Sequence, residues 1–159
     1  MLKIDERLRQ LGMRLPTPPA PAGAYRPVVI RNGVGCVSGQ FPFLDGELRF
    51  PGRVGAEVSE RDALQAAEIA ATNVIAHLRN ALPDFELDGL LRVEGYVASA
   101  PGFTAQPRIL DAASRLFVAV FGPDVGAHAR AAFSVPQLPL NAVIELVVTF
   151  GASLPRDGK

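Results

Sequence analysis

The succession of turn, helix and strand signals in this sequence predicts an α+β fold, in which one β-sheet carries two helices on a single face. Residues 59–82 contain no glycine or proline and repeat apolar residues at helical spacing, which predicts a long helix. Residues 28–39 have the pattern of a β-hairpin, and two apolar strands, 130–135 and 142–150, close the chain. The 159 residues suit one domain, and a hydrophobic content of 48% is enough for a sizeable core.

The N-terminal part of the chain predicts a short helix followed by an extended arm. Residues 4–11 carry apolar side chains at helical spacing, and Gly12 is suited to end that helix. The segment PTPPAPAG, residues 16–23, has four prolines and cannot continue a helix, so we expect a stiff extended arm. This arm would deliver Tyr25 to the start of the first strand.

Two glycine-containing pairs predict tight turns between apolar runs. Asn32-Gly33 can supply the two positive φ angles of a type I′ turn within the hairpin. Asp45-Gly46 lies between FPFL and ELRF and predicts a second turn.

The two long helices are predicted from their caps and their periodicity. Ser59 is a suitable N-cap for the helix at 59–82, and Pro83 follows its end. Residues 107–121 form the second helix, with a proline in its first turn and Gly122-Pro123 after its last. Between the helices, residues 90–100 alternate well enough to predict a strand.

Composition and charge exclude several classes of protein. The formal net charge is zero, whereas a general nucleic-acid binder would normally carry an excess of positive charge. Cys36 is the only cysteine, so an internal disulfide is impossible, which fits a reducing compartment. The charged N-terminus is unlike a signal peptide, and no apolar run has the length of a membrane span. We therefore expect a cytoplasmic protein that binds neither nucleic acid nor membrane.

Familiar cofactor and nucleophile motifs are missing from the sequence. It contains no GxGxxG, no P-loop spacing and no GxSxG elbow. The only histidines, His77 and His128, are far apart, so we expect no metal site. We interpret His77 as a packed helix residue, His128 as a loop or strand-edge residue, and Cys36 as a small buried hydrophobe.

The last two strands each contain one charged residue within an apolar pattern. Arg130 shares a strand face with Ala132, and Glu145 shares one with Val143 and Val147. Each charge thus stands on the less apolar face of its strand. One interpretation is an Arg–Glu pair on a solvated sheet face. The other is a polar cleft, formed where a neighbouring subunit covers that face.

An arginine and a glutamate in such a cleft suit one kind of chemistry. The planar guanidinium can bind both oxygens of a small carboxylate substrate, and the glutamate can activate a water molecule. No covalent nucleophile is evident, so the set fits hydrolysis of an already reactive compound. Two alternatives remain open: a cleft that binds a small carboxylic acid without converting it, and RNA cleavage, which the neutral charge disfavours.

Several motifs, in the same order along the chain, resemble the RidA/YjgF family of reactive-intermediate imine/enamine deaminases, some members of which are labelled endoribonuclease L-PSP-like. The segment RAAFSVPQLPLNAVIEL resembles the family's C-terminal signature: an arginine strand, a Leu-Pro turn, and a strand that leads into a glutamate. Upstream, GAYRPVV and VSGQFP resemble two further family segments. The resemblance covers residues 22–150, and the residues before it resemble the N-terminal extension of a longer branch.

The resemblance implies a chorismate-mutase-like fold with a mixed sheet, assembled as a homotrimer with clefts between subunits and no cofactor. It implies that Arg130 binds the carboxylate of a 2-imino or 2-enamino acid and that Glu145 orients or activates water. It further implies that Tyr25 walls the pocket, and that Ser38, Gly39 and the backbone N–H of Ala132 contact the ligand. The product would be a 2-keto acid, with release of ammonia.

The sequence departs from the family pattern in two places. Ala132 stands where many members carry cysteine or another residue, so a side-chain role is excluded there. Asp111 is the nearest candidate for a family asparagine. We expect the helix and arm to occupy residues 1–24, the family-like domain residues 25–153, and a tail residues 154–159.

Overall fold

A computed structural model of the protein describes residues 3–83 and 86–154. The predicted tail at 154–159 therefore lies outside the described residues, apart from Leu154. The helices are α1 (Lys3–Gln10), α2 (Glu60–Ala81) and α3 (Gln106–Phe121). The strands are β1 (Val28–Arg31), β2 (Val34–Gln40), β3 (Phe43–Leu44), β4 (Glu47–Leu48), β5 (Glu86–Ala98), β6 (Ala129–Val135) and β7 (Ile144–Ser153).

The main sheet has five strands in the order β1-β2-β7-β5-β6, and β3 and β4 form a separate small hairpin. β5 and β6 are parallel because α3 crosses between them, whereas the other neighbours in the main sheet are antiparallel. Both long helices pack with the sheet into a single core that includes Ile75, Phe117, Val93 and Val148. The prediction of an α+β fold with both helices on one face is confirmed.

Local sequence signals account for the turns and for the start of α2. Asn32 and Gly33 have φ angles of 50° and 79°, which is the type I′ geometry expected between β1 and β2. Asp45 and Gly46, with φ angles of 53° and 81°, turn the chain between β3 and β4. The Ser59 hydroxyl accepts a hydrogen bond from the backbone N–H of Asp62 at 3.1 Å and thereby caps α2.

Small residues bring the helices close to the sheet. Five alanines of α2 are fully buried: Ala63, Ala66, Ala67, Ala70 and Ala71. A side chain at Gly95 of β5 would occupy the position of the Leu110 side chain, so α3 rests directly on that strand. Among residues 3–83 and 86–154, no helix packs on the opposite face of the sheet, which we call the open face.

The open face explains one wrong prediction. Cys36 is exposed rather than buried, because its side chain lies on that face of β2, paired with Thr149 of β7. Val29 and Val34, on the same face, are 37% and 46% exposed. None of the helices in residues 3–83 and 86–154 combines the length and apolar character needed to cross a bilayer.

Candidate functional site

The two charged residues of the C-terminal strands lie on opposite faces of the sheet. Arg130 is paired in register with Val93, which is fully buried beneath the helices, so the arginine side chain faces the helices. Tyr96 is paired with both Glu145 and Phe133, and these three side chains share the open face. The expectation that Arg130 and Glu145 share a face is therefore wrong within one chain.

Arg130 is held by side chains of α3. Its Nη1 donates to Oδ1 of Asp111 at 2.9 Å and to the hydroxyl oxygen of Ser114 at 3.1 Å. The side chain is about a quarter exposed, because β6 is the edge strand of the sheet. The guanidinium thus combines a fixed position with access to an incoming group.

His128 extends this cluster by one hydrogen bond. Its Nδ1 lies 2.7 Å from the carbonyl oxygen of Gly126, which can only accept, so Nδ1 donates. Nε2 lies 2.9 Å from the hydroxyl oxygen of Ser114, within hydrogen-bond distance. The ring also packs edge-on against Phe117, with centroids 5.9 Å apart. We call the residues Asp111, Ser114, His128 and Arg130 the arginine cluster.

Glu145 lies in the middle of the sheet, against the backbone of β2. The pairing of β2 with β7 shifts register between Val37 and Gln40, and this irregularity brings Gly39 against Glu145. A Cβ atom at Gly39 would collide with the Glu145 carboxylate. Burial raises the pKa of Glu145. The neighbouring Tyr96 hydroxyl donates to Glu94 at 3.1 Å and is not engaged with Glu145.

Ser38 is oriented by the residue two positions along the strand. Nε2 of Gln40 donates to the backbone oxygen of Ser38 at 3.1 Å and to its hydroxyl oxygen at 3.3 Å. Gln40 is buried, so this amide is a fixed support. Because the Ser38 oxygen accepts from Gln40, its own hydrogen is directed elsewhere and is suited to donate to a ligand.

Tyr25, Ser38 and Gly39 line one cavity of about 520 Å³ beneath the proline-rich arm. The Tyr25 hydroxyl accepts a hydrogen bond from the backbone N–H of Ala22 at 3.3 Å, which ties the ring to the arm. The arm contributes Pro16, Thr17, Pro19, Ala20, Pro21 and Ala22 to the lining. We call this space the arm cavity, and we call Tyr25, Ser38, Gly39 and Glu145 the glutamate cluster.

The loop between β6 and β7 contributes a strained residue to the arm cavity. Leu140 lines it with a φ angle of 59°, and the following Asn141 has 60°. A left-handed backbone conformation at a residue other than glycine costs on the order of 1–3 kcal/mol. The Asn141 carbonyl accepts from the backbone N–H of Gly52 at 2.8 Å, which helps to hold this conformation.

The structure divides the sequence-predicted site residues into two groups. Tyr25, Ser38 and Gly39 line the arm cavity, and Gly39 lies against Glu145. Arg130 and Ala132 lie on β6, with Ala132 packed against the core. Sequence reasoning missed Ser114 and the supporting role of Gln40, and it did not connect His77 with the arm cavity. Within residues 3–83 and 86–154, no three His, Cys, Asp or Glu side chains are grouped as a metal ion would require.

Comparison with known proteins agrees with this fold. A family model described as "YjgF/chorismate mutase-like, putative endoribonuclease" matches residues 5–153. Protein TCP17 of Trypanosoma cruzi is 34% identical over 145 residues, which is 91% of each chain.

Two solved structures are similar over nearly their whole length. Atu1372 of Agrobacterium tumefaciens, a protein of unknown function, is 33% identical with a TM-score of 0.84, covering 95% of this chain and 93% of that one. A "putative endoribonuclease" of Shewanella oneidensis is 31% identical with a TM-score of 0.87, covering 93% and 98%.

The mixed sheet with its helices on one face is the chorismate-mutase-like class of α+β fold. The chain belongs to the YjgF/chorismate mutase-like family. Its fold is also that of a solved Rid-family protein of Yersinia pestis. Membership in this family fits a deaminase that acts on small molecules or a protein that binds them.

Proposed function

We propose that the protein hydrolyses reactive 2-imino and 2-enamino acids of the 2-aminoacrylate type to 2-keto acids and ammonia. We further propose that it acts in the cytoplasm as a homotrimer and without a cofactor. Each site would lie between two subunits, with the arginine cluster of one facing the glutamate cluster of the next. The observation that carries this proposal is the placement of Arg130 and Glu145 on opposite faces of one sheet.

The open face supports an assembly of this kind. It presents Val29, Val34 and Phe133 at 37%, 46% and 39% exposure, around a half-buried Glu145. A sheet with helices on one face leaves its other face to be covered, and a second copy of the chain is one way to cover it. A head-to-tail contact that closes after three copies would give every subunit the same two half-sites.

The proposed chemistry needs only positioning and proton transfer. Arg130 binds the substrate carboxylate through parallel hydrogen bonds, each worth about 1.5–3 kcal/mol when charged. The enamine takes a proton at its terminal carbon and becomes the imine. Glu145 accepts a proton from water as the oxygen bonds to the imine carbon, and returns a proton to nitrogen. As the C–N bond breaks, the new hydroxyl group gives its proton to Glu145, the carbonyl group of the keto acid forms and ammonia leaves. Glu145 then releases this proton to solvent, which supplied the proton for the enamine carbon. Burial raises the pKa of Glu145, which makes its carboxylate a stronger proton acceptor than that of an exposed glutamate and favours its role as the base.

Mixed oligomers provide the sharpest test. Arg130→Ala and Glu145→Gln should each lower ammonia release from freshly generated 2-aminoacrylate by about 100-fold or more, since each removes about 3 kcal/mol or more of transition-state stabilisation. The two inactive variants are then unfolded together, refolded as a mixture and assayed. If each site takes Arg130 from one subunit and Glu145 from the next, random assembly restores about a quarter of wild-type activity.

Refolded single variants and a mixture made without unfolding are the controls. A mixture that stays inactive although wild-type protein survives the same refolding would contradict a site shared between subunits. Sedimentation of the wild-type protein as a monomer would contradict it independently.

One observation favours a second candidate, a module that binds keto acids without converting imino acids. The Asp111 carboxylate already pairs with Arg130 and would compete with a substrate carboxylate for it. Keto-acid binding by calorimetry, together with no acceleration of ammonia release, would select this candidate.

A further inference from the structure

The guanidinium group of Arg130 is only partly used by its neighbours in the same chain. Two acceptors lie within hydrogen-bond distance of Nη1, Oδ1 of Asp111 at 2.9 Å and the hydroxyl oxygen of Ser114 at 3.1 Å, and its two hydrogens are enough for both. Nε and Nη2 of Arg130 donate to no group among residues 3–83 and 86–154. Their N–H groups form one edge of the guanidinium, and this free edge matches the two oxygens of a carboxylate.

The ion pair of Arg130 with Asp111 uses one nitrogen of the guanidinium only. The pair is formed by Nη1 and Oδ1, whereas arginine and a carboxylate frequently form two parallel hydrogen bonds. Asp111 and Ser114 lie three residues apart on α3, so their side chains share one face of the helix. The bond from Nη1 to Ser114 therefore competes directly with a second bond between the guanidinium and Asp111.

His128 holds the hydroxyl group of Ser114 in place. Nε2 of its ring lies 2.9 Å from the Ser114 oxygen, and Nδ1 lies 2.7 Å from the carbonyl oxygen of Gly126. The turn at Gly126 is packed tightly, because a Cβ atom there would lie within 2.8 Å of the backbone of α3 and of Gly122. The ring also packs edge-on against Phe117. Two hydrogen bonds and an aromatic contact thus fix His128, and His128 anchors Ser114 to a rigid turn.

The two acceptors of Nη1 differ in charge, and therefore in their effect on an anionic ligand. The carboxylate of Asp111 attracts the guanidinium and repels a second anion beside it. Ser114 is neutral, so it restrains the guanidinium without opposing an anion. Loss of the serine hydroxyl should therefore weaken the binding of a carboxylate, whereas loss of the aspartate charge should strengthen it.

We propose that Ser114 and His128 are positioning residues, which together keep the free edge of Arg130 open for the substrate carboxylate. The bond to Ser114 holds the guanidinium where Asp111 reaches Nη1 alone. Without that bond, the guanidinium would turn to give Asp111 two parallel hydrogen bonds, and the protein's own carboxylate would occupy the place of the substrate's. This assignment rests on the proposed function, in which Arg130 binds the substrate.

A double-mutant cycle between Ser114 and Asp111 tests this proposal. Ser114→Ala should raise KM for 2-aminoacrylate, and the Kd for its keto acid pyruvate, by about 3- to 10-fold, the effect of losing one hydrogen bond, while kcat changes little. In the Asp111→Asn background the same substitution should change both constants by less than about 2-fold, because the competing carboxylate is absent. Equal effects of Ser114→Ala in the two backgrounds would overturn the inference.

Two replacements of different chemistry test His128. His128→Phe keeps a ring against Phe117 but has no group to hold Ser114, so it should raise the Kd for pyruvate as Ser114→Ala does. His128→Gln offers an amide to Ser114 and should stay within about 2-fold of the wild-type Kd. Thr72→Ala, which removes a hydroxyl group bonded within α2, is the control and should leave Kd unchanged. Wild-type affinity in His128→Phe would overturn the role of His128.

Failure of the inference can be told apart from failure of the proposed function. Hydrolysis with the same KM in the wild-type protein and in Ser114→Ala would refute the inference and leave the proposed function standing. If the wild-type protein hydrolyses no imino acid, the proposed function fails, and the cycle is decided by calorimetry with pyruvate. A Kd that rises in Ser114→Ala only while Asp111 is present would then support the inference. Equal Kd values, or no binding of pyruvate by the wild-type protein, would refute it.

Discussion

The arginine cluster and the glutamate cluster differ in the surroundings of their charged side chains. Arg130 lies at the edge of the sheet, and hydrogen bonds link it through Ser114 to His128 and directly to Asp111. Glu145 lies in the middle of the sheet, where burial raises its pKa, and no described residue hydrogen-bonds its carboxylate. The first cluster holds a cation in a fixed geometry, whereas the second contains a carboxylate that burial makes more basic than an exposed glutamate.

This difference supports the proposal that one chain supplies only half of each site. A cation at the edge of the sheet can reach a neighbouring subunit, and a carboxylate on an uncovered face can be reached by one. Substitutions that disturb only one cluster should therefore affect different measured quantities, namely kcat, KM or Tm. Three such substitutions follow from the geometry.

The largest effect is expected at Gly39. Gly39→Ala would push the added methyl group into the Glu145 carboxylate and displace it from the position set by β2. We expect kcat to fall by about 10-fold or more, because misplacing a proton-transfer group costs about that much. Steady-state ammonia release measures it.

Gly89→Ala is the matched control, because a Cβ atom there meets only the backbone of Val125, at 3.5 Å or more, and does not touch Glu145. Equal kcat values for Gly39→Ala and the wild-type protein would show that the position of Glu145 is not critical, and the glutamate cluster would lose its proposed role.

A smaller effect is expected at Asp111. Asp111→Asn removes the carboxylate that pairs with Arg130 and competes with a substrate anion. Partly exposed ion pairs are worth about 0.2–1 kcal/mol, so KM should fall by about 1.5- to 5-fold while kcat changes little. Asp5→Asn, which disrupts the distant pair between Asp5 and Arg79, should leave KM unchanged. A rise in KM for Asp111→Asn would mean that Asp111 positions Arg130 instead of competing for it.

The smallest effect concerns stability and pH. Because the folded-state pKa of Glu145 is raised, the folded protein holds that proton more tightly than the unfolded chain does. The contribution of Glu145 to stability is therefore full at acid pH and declines as pH rises through the raised pKa.

Glu145→Gln should melt a few degrees at most above the wild-type protein at pH 8, and this advantage should shrink towards pH 4. Glu68→Gln, at an exposed position of α2, serves as the control. A Tm difference that grows on acidification would contradict this sign. Thermal unfolding followed by circular dichroism at both pH values measures it.

Local residue types were sufficient to predict much of the fold. Asn32-Gly33 requires positive φ angles, and Ser59 satisfies an N–H group within three residues of itself, so both signals act without the rest of the chain. The long helices were predicted for a similar reason, since a repeat of apolar residues and a cap are contained in the helix itself. Tyr25, Ser38, Gly39 and Glu145 were named as candidates from motifs. The structure places the first three on the arm cavity and Gly39 against Glu145, and their role in a site stays a prediction.

The sequence by itself thus determined the turns, the helices and the alternation within each strand, because these depend on neighbouring residues. It could not determine which face of a strand meets the helices, and so the orientation of Arg130 and the exposure of Cys36 were wrongly predicted. Alternation relates residues within one strand only, whereas pairing with a partner strand decides which alternate set is buried. Only the tertiary structure brought His77 of α2 beneath an arm that lies far away in the chain, because long-range packing sets that contact.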